Sequence, residues 1–90
     1  MSVTIHLHRN HRPAAEGLKT VAVDGRSVEE CLASLVHRFP RLEQKLFISA
    51  GRLHRNIEIY VNMGSAYPDE LKKTVNDGDD IHITLILTGG

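Results

Sequence analysis

Residues 76–90 read NDGDDIHITLILTGG, and the parsing of this stretch decides the fold. Asn76-Asp77-Gly78-Asp79 has the make-up of a tight turn, because Asn and Asp side chains hydrogen-bond nearby backbone and Gly tolerates positive φ. Beyond it, Ile81, Ile83, Leu85 and Leu87 alternate with His82, Thr84, Ile86 and Thr88, the period of two that predicts a strand with one buried face. That strand runs directly into Gly89-Gly90. Glycine is the residue that loses most freedom when held extended, so a folding role alone does not account for the pair. A side-chain-free tail after a strand has one chemical asset, its carboxylate.

Working back from this strand, Ile57, Ile59 and Val61 alternate with Glu58 and Tyr60, and Asn62-Met63-Gly64-Ser65 turns the chain. Pro68 to Leu71 has room for a single helical turn. At the other end Val3, Ile5 and Leu7 alternate with Thr4, His6 and His8. A long turn from Arg9 to Gly17 follows, and Leu18, Val21 and Val23 give a second strand ending at Asp24-Gly25, so the pair reads as a hairpin. Ser27 and Glu30 have the spacing of a helix capping box, and Val28, Leu32, Leu35, Val36 and Phe39 fall on one helical face until Pro40 stops it. Leu42 and Leu46 allow a further short helical turn, and SAGRLHR (49–55) reads as irregular. Hairpin, one good helix, then more strands is the order of an α+β fold, with the helix packed on one face of a mixed sheet. Ninety residues without repeats or low-complexity stretches are read as a single domain, 1–90, with a flexible C-terminal Gly-Gly tail.

Composition removes several function classes. Eleven basic and eleven acidic residues cancel, and two Tyr with two Phe leave little for base stacking, so nucleic acid is not an expected partner. No apolar run approaches the ~20 residues of a membrane span, and the first residues lack the apolar segment of a signal peptide, so neither membrane nor export is expected. One cysteine, Cys31, makes no internal disulfide and agrees with a reducing, cytoplasmic setting.

The side chains that carry chemistry elsewhere read as structural here. His6 and His8 share a strand face, and His82 joins them if the first and last strands pair; without a neighbouring cysteine this is read as a solvated strand face and no metal site is assigned. His11 falls in a turn, and His37 with Arg38 suits the negative end of the helix. Cys31, beside Leu32 and Leu35, is read as a buried small hydrophobe rather than a nucleophile. Arg52, His54 and Arg55 form a small basic cluster on a loop. No catalytic residue is assigned, and neither a phosphate-binding P-loop nor a G-x-G-x-x-G motif is present to hold ATP.

The segment from Leu71, through Val75 and Asp77-Gly78-Asp79 to a strand and Gly89-Gly90, resembles the closing segment of the MoaD/ThiS family of ubiquitin-like sulfur carriers. The order of elements is similar to their β-grasp fold. GRLHRNIEIYVN (51–62), with Arg12-Pro13 and Gly17 in the first turn, resembles the CysO branch used in cysteine synthesis, whereas Leu85-Ile86-Leu87 stands where MoaD-like members often carry prolines.

The resemblance implies a carrier that binds no cofactor and is itself the substrate of an ATP-dependent adenylating enzyme. The carboxylate of Gly90 would become a thiocarboxylate and pass its sulfur to an accepting synthase of molybdopterin, thiazole or cysteine formation. Thr88 and Gly89 would thread the enzyme's channel, where the missing Cβ of glycine admits close walls. Ile86, on the face opposite Ile83 and Leu85, is either an exposed apolar contact for a partner or covered by a connecting segment. Two other classes stay open: a ubiquitin-like modifier joined to lysines through Gly90, and a non-catalytic β-grasp interaction module.

Overall fold

The computed structural model describes residues 2–86. In it β1 (Ser2–His6) and β2 (Thr20–Asp24) form the expected antiparallel hairpin, in register from Ser2 opposite Asp24 to His6 opposite Thr20. The helix α1 (Val28–Arg38) follows, then α2 (Arg41–Leu46) and the short strands β3 (Phe47–Ser49) and β4 (Arg52–Leu53). After them come β5 (Ile57–Val61), the two-residue β6 (Gly64–Ser65) and β7 (Asp80–Leu85). The main sheet has the order β2-β1-β7-β5-β6. Its two central strands, β1 and β7, run parallel with His6 opposite His82, and the other pairings are antiparallel, so the sheet is mixed as the sequence suggests.

Alternation places Val3 and Ile5, Val21 and Val23, Ile57 and Ile59, and Ile81 and Ile83 on one face of this sheet, all buried. The helical stripe Val28, Cys31, Leu32 and Leu35 covers them, with Leu42 and Leu46 of α2 closing one end. Each such side chain taken out of water contributes about 1.5–3 kcal/mol before entropy is counted. Ser27 caps α1, its Oγ accepting from the Glu30 N–H at 3.2 Å, while the Glu30 carboxylate accepts from the Arg26 N–H at 3.0 Å. That return bond lands one residue before the N-cap, a variant of the capping box.

Four local expectations change. SAGRLHR is not irregular: Ser49 pairs with Arg52 and Phe47 with Leu53, with Gly51 at φ +74° in the turn. Leu18, expected in the second strand, is 40% exposed and precedes β2, which begins at Thr20. Pro40 does more than stop α1, for it also caps the start of α2, where a fixed φ and a missing N–H cost nothing. The helical turn expected from Pro68 is a 3-10 turn at Glu70–Lys72. Within the long turn, a 3-10 turn at Arg12–Ala15 buries Ala14 and Ala15 against the core. Among the described residues no helix is long and apolar enough to cross a membrane.

Candidate functional site

β7 decides where the end of the chain emerges. It lies between β1 and β5, and its Ile81 and Ile83 are fully buried, so the strand is held on both edges and from below. The ladder closes where the Ile86 N–H donates to the Asn56 carbonyl at 2.8 Å. Ile86 itself is 41% exposed, so no segment among the described residues covers it fully. Thr88, Gly89 and Gly90 lie outside the described residues.

Ile86 opens onto a groove of about 660 Å³. One wall is the β3–β4 hairpin and its exit, with Arg52, Leu53 and Arg55; the other is the segment from Tyr67 to Lys72. Sequence reasoning had Arg52, His54 and Arg55 as one basic cluster, and the structure divides it. The His54 ring Nε2 lies 2.9 Å from the Gln44 carbonyl, and its backbone N–H donates to Leu46, so His54 ties the hairpin to α2. Arg52 and Arg55 stay exposed at the groove. Tyr67, 78% exposed on the facing wall, was not singled out from the sequence, since it sits in no periodic pattern.

Comparison with known proteins adds to this geometry. The curated sulfur carrier protein CysO of Mycobacterium tuberculosis (strain ATCC 25618 / H37Rv) is 29% identical over 93 aligned residues that cover 100% of both chains. A chain of the Amycolatopsis orientalis BexX/CysO complex superposes with a TM-score of 0.87 at 29% identity, covering 98% of this chain and 99% of its own length. The chain has the ubiquitin-like β-grasp fold. SAMP1 from Haloferax volcanii gives a TM-score of 0.86 at 28% identity with 100% of each chain covered. The resemblance is thus to MoaD/ThiS-type ubiquitin-like sulfur carriers and extends over the whole length. No protein-family model matches the chain.

On this β-grasp body the remaining candidates are placed by the sheet. His6 and His82 do meet, stacked on the open face, with His6 Nε2 2.7 Å from Asp80 Oδ1. His8 does not join them. It leaves the strand, its Nδ1 accepts from the Asn10 N–H, and its ring meets His11 edge-on at 6.0 Å. Among the described residues, no three His, Cys, Asp or Glu side chains are grouped so as to hold a metal ion. Cys31 is fully buried under the sheet, and burial, with Glu30 and Asp24 nearby, pushes its thiol pKa up, away from nucleophile behaviour. His11, read as an ordinary turn residue, is buried, and its Nδ1 has no hydrogen-bond partner among the described residues. The apolar Ala14-Ala15 that follows it was the only sequence signal that this turn packs inward.

Proposed function

We propose that this β-grasp protein is a sulfur carrier whose reactive group is the carboxylate of Gly90. The observation that supports it is the likeness to CysO proteins over the full length of both chains. The position of Ile86 agrees with it, since the four residues beyond begin from the surface at the end of a clamped strand.

A carboxylate is a weak electrophile at neutral pH and needs activation. A partner enzyme joins it to AMP from ATP with loss of pyrophosphate, and a persulfide sulfur then attacks the mixed anhydride, releasing AMP. A second thiol breaks the S–S bond and leaves the thiocarboxylate on Gly90. The chain supplies no catalytic group in this scheme; it is substrate and donor, and Thr88 and Gly89 give the tail the thinness to enter the enzyme. Holding the sulfur on a protein lets docking orient it against its acceptor. The GRLHR and IYVN stretches favour an activated serine as that acceptor, through a synthase of cysteine formation, over molybdopterin or thiazole.

ATP-pyrophosphate exchange with the activating enzyme of the same cell tests the proposal. Exchange requires a free Gly90, and one residue added after it abolishes turnover while the fold survives. Undiminished exchange by the extended chain overturns the mechanism.

The likeness to SAMP1 favours a second reading, in which the same activated terminus is joined to lysines; a SAMP1 of Methanosarcina acetivorans is described as a small archaeal modifier protein. Mass spectra of cell extracts separate the two. A carrier appears as intact protein with one oxygen replaced by sulfur, and a modifier leaves Gly-Gly remnants on target lysines.

A further inference from the structure

We propose that the groove beside Ile86 is the seat of the carboxylate-activating enzyme, with Arg52 and Arg55 receiving an acidic edge of that enzyme and the apolar floor receiving a hydrophobic side chain. The inference rests on the function proposed above and assigns the surface through which that function is recognised.

Reach is the first argument. Gly90 lies four residues beyond Ile86, and four extended residues span at most ~13–14 Å. An enzyme whose adenylation centre holds Gly90 therefore stands within that distance of Ile86, and the walls of the groove at Ile86 fall inside its footprint. The Ile86 N–H is fixed to Asn56, the residue next to Arg55, so the tail starts beside the arginine wall.

Charge is the second. Arg52 and Arg55 are exposed, and neither makes an ion pair with another described residue, whereas His54 between them is engaged with Gln44. Asp69 and Glu70 with Lys72 line the groove from the facing segment and Glu58 lines it from β5, so the groove is polarised rather than uniformly charged. A partner matching it presents carboxylates on the hairpin side alone. Leu53 on one wall and Leu71 on the other are partly exposed, Ile86 is 41% exposed, and Tyr67 stands largely clear of the body. An exposed aromatic side chain facing arginines across apolar side chains that a partner would desolvate is the combination that concentrates binding free energy in interfaces.

The experiment is ATP-pyrophosphate exchange with the full-length chain and its cognate activating enzyme, comparing wild type with the Arg52→Glu/Arg55→Glu double variant and with Tyr67→Ala. A matched control, Arg9→Glu/Lys19→Glu, changes the same charge in the connection between β1 and β2. The inference expects KM for the carrier to rise ~10-fold or more in the arginine variant, with kcat at saturation changed less than about twofold and the salt dependence of kcat/KM flattened. Tyr67→Ala raises KM ~5-fold or more. The control variant follows wild type. An arginine variant with wild-type KM and salt slope, or one matched by the control, overturns the docking assignment while the carrier function stands. Transfer to the acceptor impaired with exchange unaffected also overturns it, by assigning the groove to the acceptor synthase. A wild-type chain that supports no exchange removes the carrier reading and this inference together.

Discussion

The imidazoles of His6 and His82 lie 4.2 Å apart between centroids and within 9° of parallel, brought together by the parallel register of β1 and β7. His6 also reaches Asp80 Oδ1 at 2.7 Å, and Tyr60 stands opposite His82 on β5, so the open face carries a polar row across its central strands. Both members of the His6–Asp80 pair are more than a third exposed, which screens their attraction. Asp80→Asn is therefore expected to lower stability by less than about 1 kcal/mol, and less still in high salt. Urea unfolding at two salt concentrations measures it; a loss well above that, unaffected by salt, would show that the pair organises the sheet.

His11 gives the fold a defined acid sensitivity. Burial, then the charges of His8 and Lys45, hold its pKa below the ordinary 6.5. A base whose folded pKa is depressed binds its proton more tightly when unfolded, so between the folded pKa and about 6.5 the unfolded chain carries more protons and stability rises with pH. The contribution is full above about 6.5 and is lost as pH falls below it, before carboxylates with ordinary pKa values near 4 begin to titrate. Thermal unfolding of wild type should show a falling Tm from pH 7 to pH 5, and His11→Leu should flatten that slope. An equal slope in the variant would place the sensitivity elsewhere.

The second short helix belongs to the core although it is only six residues long. Leu42 and Leu46 are fully buried, while Leu18, equally apolar in sequence, is 40% exposed. Leu46→Ala is expected to cost about 2–5 kcal/mol and Leu18→Ala less than about 0.5 kcal/mol. Denaturant midpoints at constant m-value read both. Similar losses in the two variants would contradict the burial pattern.

These contrasts show what the sequence could reveal. Strands β1, β5 and β7 were legible because each alternates cleanly, and Ile86 stood out because it breaks the polar side of that alternation, although the alternation left open whether it is exposed or covered. The β3–β4 hairpin was not, since its three- and two-residue strands are too short to establish a period and their pairing shifts register between Phe47 and Ser49. Leu18 was misplaced because hydrophobicity alone does not distinguish the last residue of a turn from the first of a strand. His11 was missed because its burial depends on how the Arg12–Ala15 turn packs, a tertiary matter to which the neighbouring Ala14-Ala15 gives only a faint clue. The groove at Ile86 unites residues from three separated segments, so only its basic cluster and Ile86 were singled out beforehand, and not as one site.

Gly25, just past the hairpin, lies close against Cys31 of α1. A Cβ built on Gly25 would lie 2.8 Å from both the Cys31 amide nitrogen and its Sγ, closer than packed atoms allow. Gly25→Ala must therefore displace the first turn of α1, which is held by the Ser27 cap and by the Val28 N–H donating to Lys73. Overpacking of this kind costs about 1–3 kcal/mol. Cys31→Ala removes the Sγ contact but leaves the amide nitrogen in place, and by itself it loses a small buried group. The double variant is then expected to be more stable than the sum of the two single losses implies, yet still less stable than wild type, because the backbone contact persists. A double-mutant cycle from urea unfolding measures this coupling. Strict additivity would show that the Sγ contact adds nothing to the cost of a methyl group at position 25.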